Sequence, residues 1–458
     1  MAKRYNHLYK KGNNKKILIH GANYIITIDN HDKLKISEDT SILIEGKKIK
    51  KIFPKKEFGK YVDFDQVDLI YDAEQNGGVV VTPGLINMHD HPPMYLLRSA
   101  LSLAEDDHDK SLKLMAEMEG KMNQQEQYLS TLGDLTEQQK SGITTTLSHY
   151  GVFDPIEKAA KESGHQVINC VSAASNSHPN NTPKLVEKYL KKKTSNTRAG
   201  IALHYVWKAK PSVLTKISGL MKKYDAFFTL HVAETEKTID SCLKAYGKRP
   251  VYVLEEYGLL GPKTILSHCV HLEEEEIKLI KKRKAIVVHL PTSNLLHRSG
   301  QFNYREFVKN KAAKQISLGT DSVVSKNRLD ILTEALTTKT LHQAREIISY
   351  QELFDMCTAR PAKLLGLKKT GKVLPGYTAN LAFWKLKDRG LTPYDEERPQ
   401  TLVSNLITHG SRMVRDLMIE GRFVISNRHH NLVDESELLE KLQKAHMNIR
   451  KRETSAGS

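Results

Sequence analysis

Short apolar runs separated by longer polar stretches dominate the middle of the chain. From Val79 onward the runs read "GVVVTPGLINMHDH", "SGITTTLSHYG", "HQVINCVSAAS", "AGIALHYVW", "DAFFTLHVAE", "KTILSHCVHL", "KAIVVHLPTSN" and "KQISLGTDS". They are short enough for buried strands, and the stretches between them are helix-compatible. Eight such alternations predict an α/β fold built on a closed parallel (β/α)8 TIM-like barrel.

The flanks read differently. "KILIHGANYIITID" (16–29) and "TSILIEGKKIKKIFP" (40–54) are rich in Ile and broken by Gly and Asp, as hairpins are. Past the last run, "NRLDILTEALTTKTLHQAREII" and "SYQELFDMCTARPAKLLGL" read as helices, the second interrupted by Pro. "GKVLPGYTANLAFWKL" and "HGSRMVRDLMIEGRFVIS" return to strand-like alternation and can complete the N-terminal sheet. The expected organisation is a discontinuous β-sandwich from residues 1–82 and 372–430, a catalytic barrel over 83–371, and a helical tail over 431–458.

A chain of 458 residues with 39% hydrophobic and 27% charged residues can bury a core without disulfides. Cys170, Cys242, Cys269 and Cys357 are scattered, with no C-x-x-C, which points to a reducing cytoplasm. The basic N-terminus has no apolar signal core, and no run approaches the about 18 residues a membrane span needs. No export, membrane or anchor is expected. The net charge of +17 is carried by dispersed stretches such as "KKKTSNTR" and "KLIKKRK" without interleaved aromatics. That favours a lysine-rich solvated surface over a nucleic-acid site, while leaving a pull on anionic substrates.

Ionisable residues collect at the C-terminal ends of the runs, the face on which such barrels carry their active sites. His89 and His91, at i and i+2, face one side of a regular strand and can offer two nitrogens to one metal. Alone, an H-x-H pair fits a structural role as well. The fifth run adds His231 and Glu234, the sixth His268 and His271, and the eighth Asp321. Three histidines and a carboxylate can surround a divalent ion and leave a position for water.

The segments "PGLINMHDH", "LHVAETEK", "LSHCVHL", "PTSNLL" and "LGTDSVVSKNRLD" resemble, in order, the motifs of the amidohydrolase superfamily. The likeness spans roughly residues 16–425 and is greatest to the cytosine-deaminase-like branch, which holds nucleoside and guanine deaminases and triazine hydrolases. It implies a mononuclear site of His89, His91, His231 and Asp321, since nothing at the end of the fourth run resembles the bridging carboxylated lysine of binuclear members. Zinc is the default ion, with iron or manganese as alternatives. The resemblance makes Asp321 both ligand and base, has His268 orient the water, and has Glu234 protonate a ring nitrogen and relay a proton to the leaving group.

The implied reaction is release of ammonia from an amino-substituted purine, pterin, pyrimidine or nucleoside. Loss of chloride, opening of a cyclic amide, or a barrel without turnover are the alternatives. A small-molecule substrate and a homo-oligomer are expected. His204 matches a substrate-contacting histidine of the family in position, although the usual Pro-His-x-Pro-Tyr context is missing; Trp207 and Arg98 are further substrate-binding candidates. His149, His271 and His289 read as supporting or packing residues, and Glu105, Asp106, Asp107 and Asp109 as a solvated acidic loop. Branch members that accept adenosylhomocysteine carry an aromatic residue after the first strand and an arginine after the third. Here "SLAEDDHDKSLKLMAEMEGKMNQQEQ" and "SAASNSHPNN" have neither, which counts against copying that substrate.

Overall fold

The computed structural model describes residues 16–98, 100–103, 108–325, 328–410 and 414–454. In chain order, β1 (Lys16–Ile28), β2 (Leu34–Glu45), β3 (Lys48–Pro54), β4 (Leu69–Asp72) and β5 (Val79–Pro83) enter one mixed sheet. A second sheet, wholly parallel and in sequential order, follows. It holds β6 (Leu85–Asp90), β7 (Ile143–Tyr150), β8 (Gln166–Ser172), β9 (Thr197–Leu203), β10 (Phe228–Val232), β11 (Thr264–His268), β12 (Ile286–His289) and β13 (Ile316–Leu318). The chain then returns to the first sheet through β14 (Leu381–Lys385), β15 (Val414–Ile419), β16 (Arg422–Ser426) and β17 (His429–His430).

Every residue of β6 and β7 is buried, because helices cover one face and the barrel interior the other. This is why the runs lack polar alternation. The ring closes where Thr320 and Asp321 donate their N–H groups to the His89 carbonyl, each at 3.1 Å. Asn87 reinforces the seam by donating to Thr320 Oγ1 at 2.7 Å.

The first apolar run is not one barrel strand. It divides at Gly84, whose N–H donates to Asn380 O in the outer sheet at 2.8 Å, while Leu85 N–H donates to Gly142 O beside the barrel at 2.9 Å. A Cβ at Gly84 would lie 2.3 Å from Thr144, so the crossing needs glycine. The helix Thr401–His409, between β14 and β15, falls between the two segments read as strands, where the sequence reading assigned no element.

The outer sheet curls on itself so that both ends of the chain share one core. The start of β1 pairs with β4 and its later part with β5, after a shift between Ile19 and Ala22 around the left-handed Gly21. Tyr71 stacks on Phe423 at 5.5 Å and donates its hydroxyl to Asp416 Oδ2 at 2.6 Å. The helix Glu435–Thr454 lies along the segment that follows His91, with His446 Nδ1 donating to Leu96 O at 2.7 Å. No helix among the described residues is long and apolar enough to cross a membrane.

Candidate active site

His89 and His91 at the end of β6 and His231 in β10 converge on one point. The Nε2 of His89 lies 3.2 Å from that of His91 and 3.2 Å from that of His231. Two nitrogens bound tetrahedrally to one zinc at 2.0–2.1 Å sit about 3.3 Å apart, so the spacing fits a shared ion. The outer nitrogens support this. His91 Nδ1 donates to the His149 carbonyl at 2.5 Å, and His89 Nδ1 meets Ser267 Oγ at 2.8 Å, which leaves the Nε2 lone pairs facing inward. Burial holds His89 and His231 well below the ordinary imidazole pKa, so both are neutral at pH 7.

Asp321 completes the cluster, with Oδ1 3.3 Å from His91 Nε2 and 3.9 Å from His89 Nε2. It accepts hydrogen bonds from Ser293 Oγ at 2.6 Å and from Ser322 N–H at 2.7 Å. Burial alone would raise its pKa, but the hydrogen bond and charge of His91, then His268 and His89, hold it well below the usual carboxylate range. Burial also opposes protonation of His91, and Asp321 outweighs it, raising that imidazole. The anion therefore calls for a positive neighbour, which a proton on His91 or a divalent cation supplies.

Behind β6, burial pushes Asp90 up to about 7 and Asp134 well above its usual range. Gln138 Nε2 donates to Asp90 Oδ2 and Asp134 Oδ1, both at 2.6 Å, while Asp90 Oδ1 accepts the His91 N–H at 2.7 Å. This layer fixes the backbone that presents the two histidines.

A second group of ionisable side chains adjoins the three imidazoles. His268 Nε2 lies 3.8 Å from Glu234 Oε2 and 4.0 Å from Asp321 Oδ2, and its Nδ1 meets Asn294 Oδ1 at 2.8 Å. Tyr205 donates its hydroxyl to Glu234 Oε2. Ala233, His268, Cys269 and Asp321 all adopt positive φ, between 47° and 70°, which L residues rarely take. These positions lie at the ends of β10, β11 and β13, where His268 and Asp321 approach to 4.0 Å, so strained backbone sits next to the site.

The remaining sequence candidates divide. His204 has one side open to solvent, while its ring packs on Tyr205 and edge-on against His231 at 5.0 Å; desolvation by these neighbours, then Lys208, pushes it down to about 3. Trp207 is partly buried, with its ring 5.7 Å from Tyr205. Arg98 is paired with Glu137 and lies over the Tyr95 ring at 4.4 Å, so its charge is already engaged. His149 stacks on His231 at 4.7 Å and buttresses the cluster. His271 contacts Ser299 O at 2.6 Å, and His289 packs on Phe302 at 4.4 Å, away from the convergence point. Glu105, Asp106 and Asp107 lie outside the described residues, and the side chain of Asp109 is not described either. Sequence reading missed Tyr205, Ser267, Ser293 and Asn294. Tyr205 and Ser267 adjoin His204 and His268, and Ser293 and Asn294 lie within the quoted "PTSNLL", yet hydroxyls and amides carry no spacing signal of their own.

The sequence model of the amidohydrolase family matches residues 80–424. The 5-methylthioadenosine/S-adenosylhomocysteine deaminase of Pyrococcus furiosus is 31% identical over 402 residues, covering 85% of this chain and 93% of that protein. The 5′-deoxyadenosine deaminase of Methanocaldococcus jannaschii is 30% identical over 429 residues, covering 89% and 96%. Among solved structures, an adenosine deaminase from Xanthomonas campestris with bound zinc superposes with a TM-score of 0.81 at 22% identity, over 95% of this chain and 98% of that one. Atrazine chlorohydrolase from Arthrobacter aurescens, also with zinc, gives 0.80 at 20% identity, over 94% and 100%. At those identities the structural likeness concerns the fold.

Proposed function

The chain belongs to the amidohydrolase family and is an aminohydrolase; from that premise we propose that it removes the ring amino group of an adenosine-type purine nucleoside. The observation that carries this reading is the line of Glu234, His268 and Asp321 beside three convergent imidazoles. It joins the naming of the 30–31% identical relatives as deaminases of adenosine derivatives.

We assign His89, His91, His231 and Asp321 to one divalent ion, zinc by the nitrogen-rich donor set. When bound, the ion supplies Lewis acidity that brings a water near neutrality in pKa. The protein's own groups then move protons. Asp321, held as an anion, accepts the proton of the attacking water. Glu234 delivers a proton to the ring nitrogen next to the amino-bearing carbon, so that carbon accepts the new C–O bond. The C–N bond breaks as the amino group takes the proton held by Asp321 and leaves as ammonia, and the new hydroxyl returns its proton to Glu234, so that the ring is left with an N–H and a carbonyl. His268, steadied by Asn294, donates toward the oxygen as charge develops there. His204, neutral and accessible on the wall, is placed to hydrogen-bond the sugar. The four buried free cysteines suit a reducing cytoplasm, where we place the enzyme.

The test is ammonia release by metal-quantified protein over adenosine, 5′-deoxyadenosine, 5′-methylthioadenosine and S-adenosylhomocysteine, with guanine, a pterin, cytosine and a chlorotriazine alongside. Turnover confined to adenosine derivatives is the expected result. Turnover of another ring, or chloride release alone, rejects the nucleoside assignment.

A further inference from the structure

Beside the proposed site stands a charge that the proposed deamination does not use. Lys208 closes the short turn after β9, and its Nζ lies 3.2 Å from His204 Nδ1, 5.3 Å from the centre of the Tyr205 ring and 5.5 Å from that of Trp207. It is thus one side chain removed from His231, against which His204 packs, and one from Glu234, which Tyr205 holds. Lys208 is open to solvent, yet the surrounding rings lower its pKa by burial.

Among the described residues no carboxylate lies within ion-pairing distance of Lys208. Lack of a carboxylate does not by itself single Lys208 out: Lys192 meets Asp154 and Glu157 and Lys263 meets Asp225, but Lys210, Lys216 and Lys222 also have no ion pair among the described residues, and what sets Lys208 apart is its place beside His204 and Tyr205. The neighbours of Lys208 are also donors. Accepting the lysine proton at Nδ1 makes Nε2 of His204 the N–H nitrogen, and the buried Nε1 of Trp207 has no acceptor. The turn is held in advance of any ligand: Lys208 N–H donates to Tyr205 O at 3.2 Å, and Tyr246 donates to Ala209 O.

Sugar hydroxyls can accept from an ammonium as they can from an imidazole or an indole, but only an anionic group adds charge pairing to that hydrogen bond. We infer that the substrate carries, besides its amino-bearing ring, an anionic group, carboxylate or phosphate, that pairs with Lys208. The inference rests on the purine-nucleoside reading and narrows it to acidic derivatives. The net charge of +17 adds long-range attraction for such a molecule.

The experiment compares kcat/KM for adenosine, its 5′-monophosphate and S-adenosylhomocysteine in the wild type, Lys208→Gln and Lys208→Arg. In parallel, affinities are measured for purine riboside and its 5′-monophosphate, which have no amino group to lose. We expect at least one acidic compound to be preferred over its neutral counterpart by about tenfold or more. That ratio should collapse in Lys208→Gln, persist in Lys208→Arg and shrink as salt is raised. Preference for the monophosphate alone identifies phosphate, and preference for the amino-acid tail alone identifies carboxylate. A wild-type ratio near one, or an equal ratio in Lys208→Gln, overturns the inference. Absence of ammonia from every nucleoside rejects the deaminase reading instead, and the affinity ratio then decides the role of Lys208 separately.

Discussion

Tyr205 Oη lies 2.5 Å from Glu234 Oε2, and the hydrogen bond runs from phenol to carboxylate. Burial, with the charge of Glu234 beside it, raises the phenol pKa far enough that the proton stays on Tyr205. The bond therefore orients the carboxylate without exchanging protons with it. Tyr205→Phe keeps the ring stacked on His204 and removes only the donor. We expect kcat to fall about tenfold, with a smaller change in KM and metal content unaltered, because orientation of the acid matters most at the transition state. Steady-state kinetics with metal quantitation reads all three.

Glu234 and His231 separate proton handling from metal binding. Glu234→Gln retains the shape and the Tyr205 contact but has no proton to give, and should keep its metal while losing about a hundredfold or more in ammonia release. His231→Ala removes one of the convergent nitrogens and should lose both metal and activity. A Glu234→Gln enzyme of full activity would take Glu234 out of the reaction.

Ser267 never meets the convergence point, yet it decides which way His89 faces. Its Oγ, 2.8 Å from His89 Nδ1, can accept the proton of that nitrogen, and metal binding at Nε2 requires that tautomer. Loss of such an outer partner weakens metal affinity about 10- to 100-fold, and Ser267→Ala should show that loss in competition with a chelator.

How much of this was legible in advance follows from what strands advertise. Eight apolar runs ending in ionisable residues revealed the barrel and its working face, because buried parallel strands and ligand side chains leave their marks in residue type. Gly84 stands inside an apolar run that was quoted whole, since one glycine between two apolar stretches looks like either a pause or a crossing. Arg98 read as a substrate-binding candidate, and only the fold brings Glu137 from the neighbouring helix to meet it. Tyr205 and Lys208 were quoted within "IALHYVWKAK" without a role, because their meaning lies in partners from another strand and in the lack of one.

Acid should unfold the protein through buried imidazoles away from the site. His165 is fully buried, contacts Thr146 Oγ1 at 2.9 Å, and is pushed down by burial to about 3. Its unfolded value is about 6.5, so below that pH the unfolded chain binds the proton and the folded one does not. Stability from this group is intact above pH 6.5 and falls by about 1.4 kcal/mol per unit on the way down to about 3. His430, held to about 4 by burial, acts in the same direction. Urea unfolding at pH 7 and pH 5 should show a steep loss in the wild type and a shallower one in His165→Gln.

Gly319 carries the last prediction, because it couples the closure of the barrel to the assembly of the site. A Cβ there would lie 2.8 Å from the His89 Cβ and 2.9 Å from the His89 nitrogen, distances that neither backbone nor a strand-borne side chain can yield. The glycine φ is not in the left-handed region, so the constraint is space and not conformation. Adding one methyl would push β13 away from β6 and stretch the hydrogen bonds from Thr320 and Asp321 to the His89 carbonyl. Asp321 would then leave its place 3.3 Å from His91 Nε2. Overpacking of this kind costs about 1–3 kcal/mol, which a barrel of this size can survive while its site comes apart. Gly319→Ala should therefore fold with a modestly lower urea midpoint yet bind metal weakly and release little ammonia. A variant that keeps wild-type metal affinity and turnover would show that the seam between the first and last strands is looser than the contact with His89 requires.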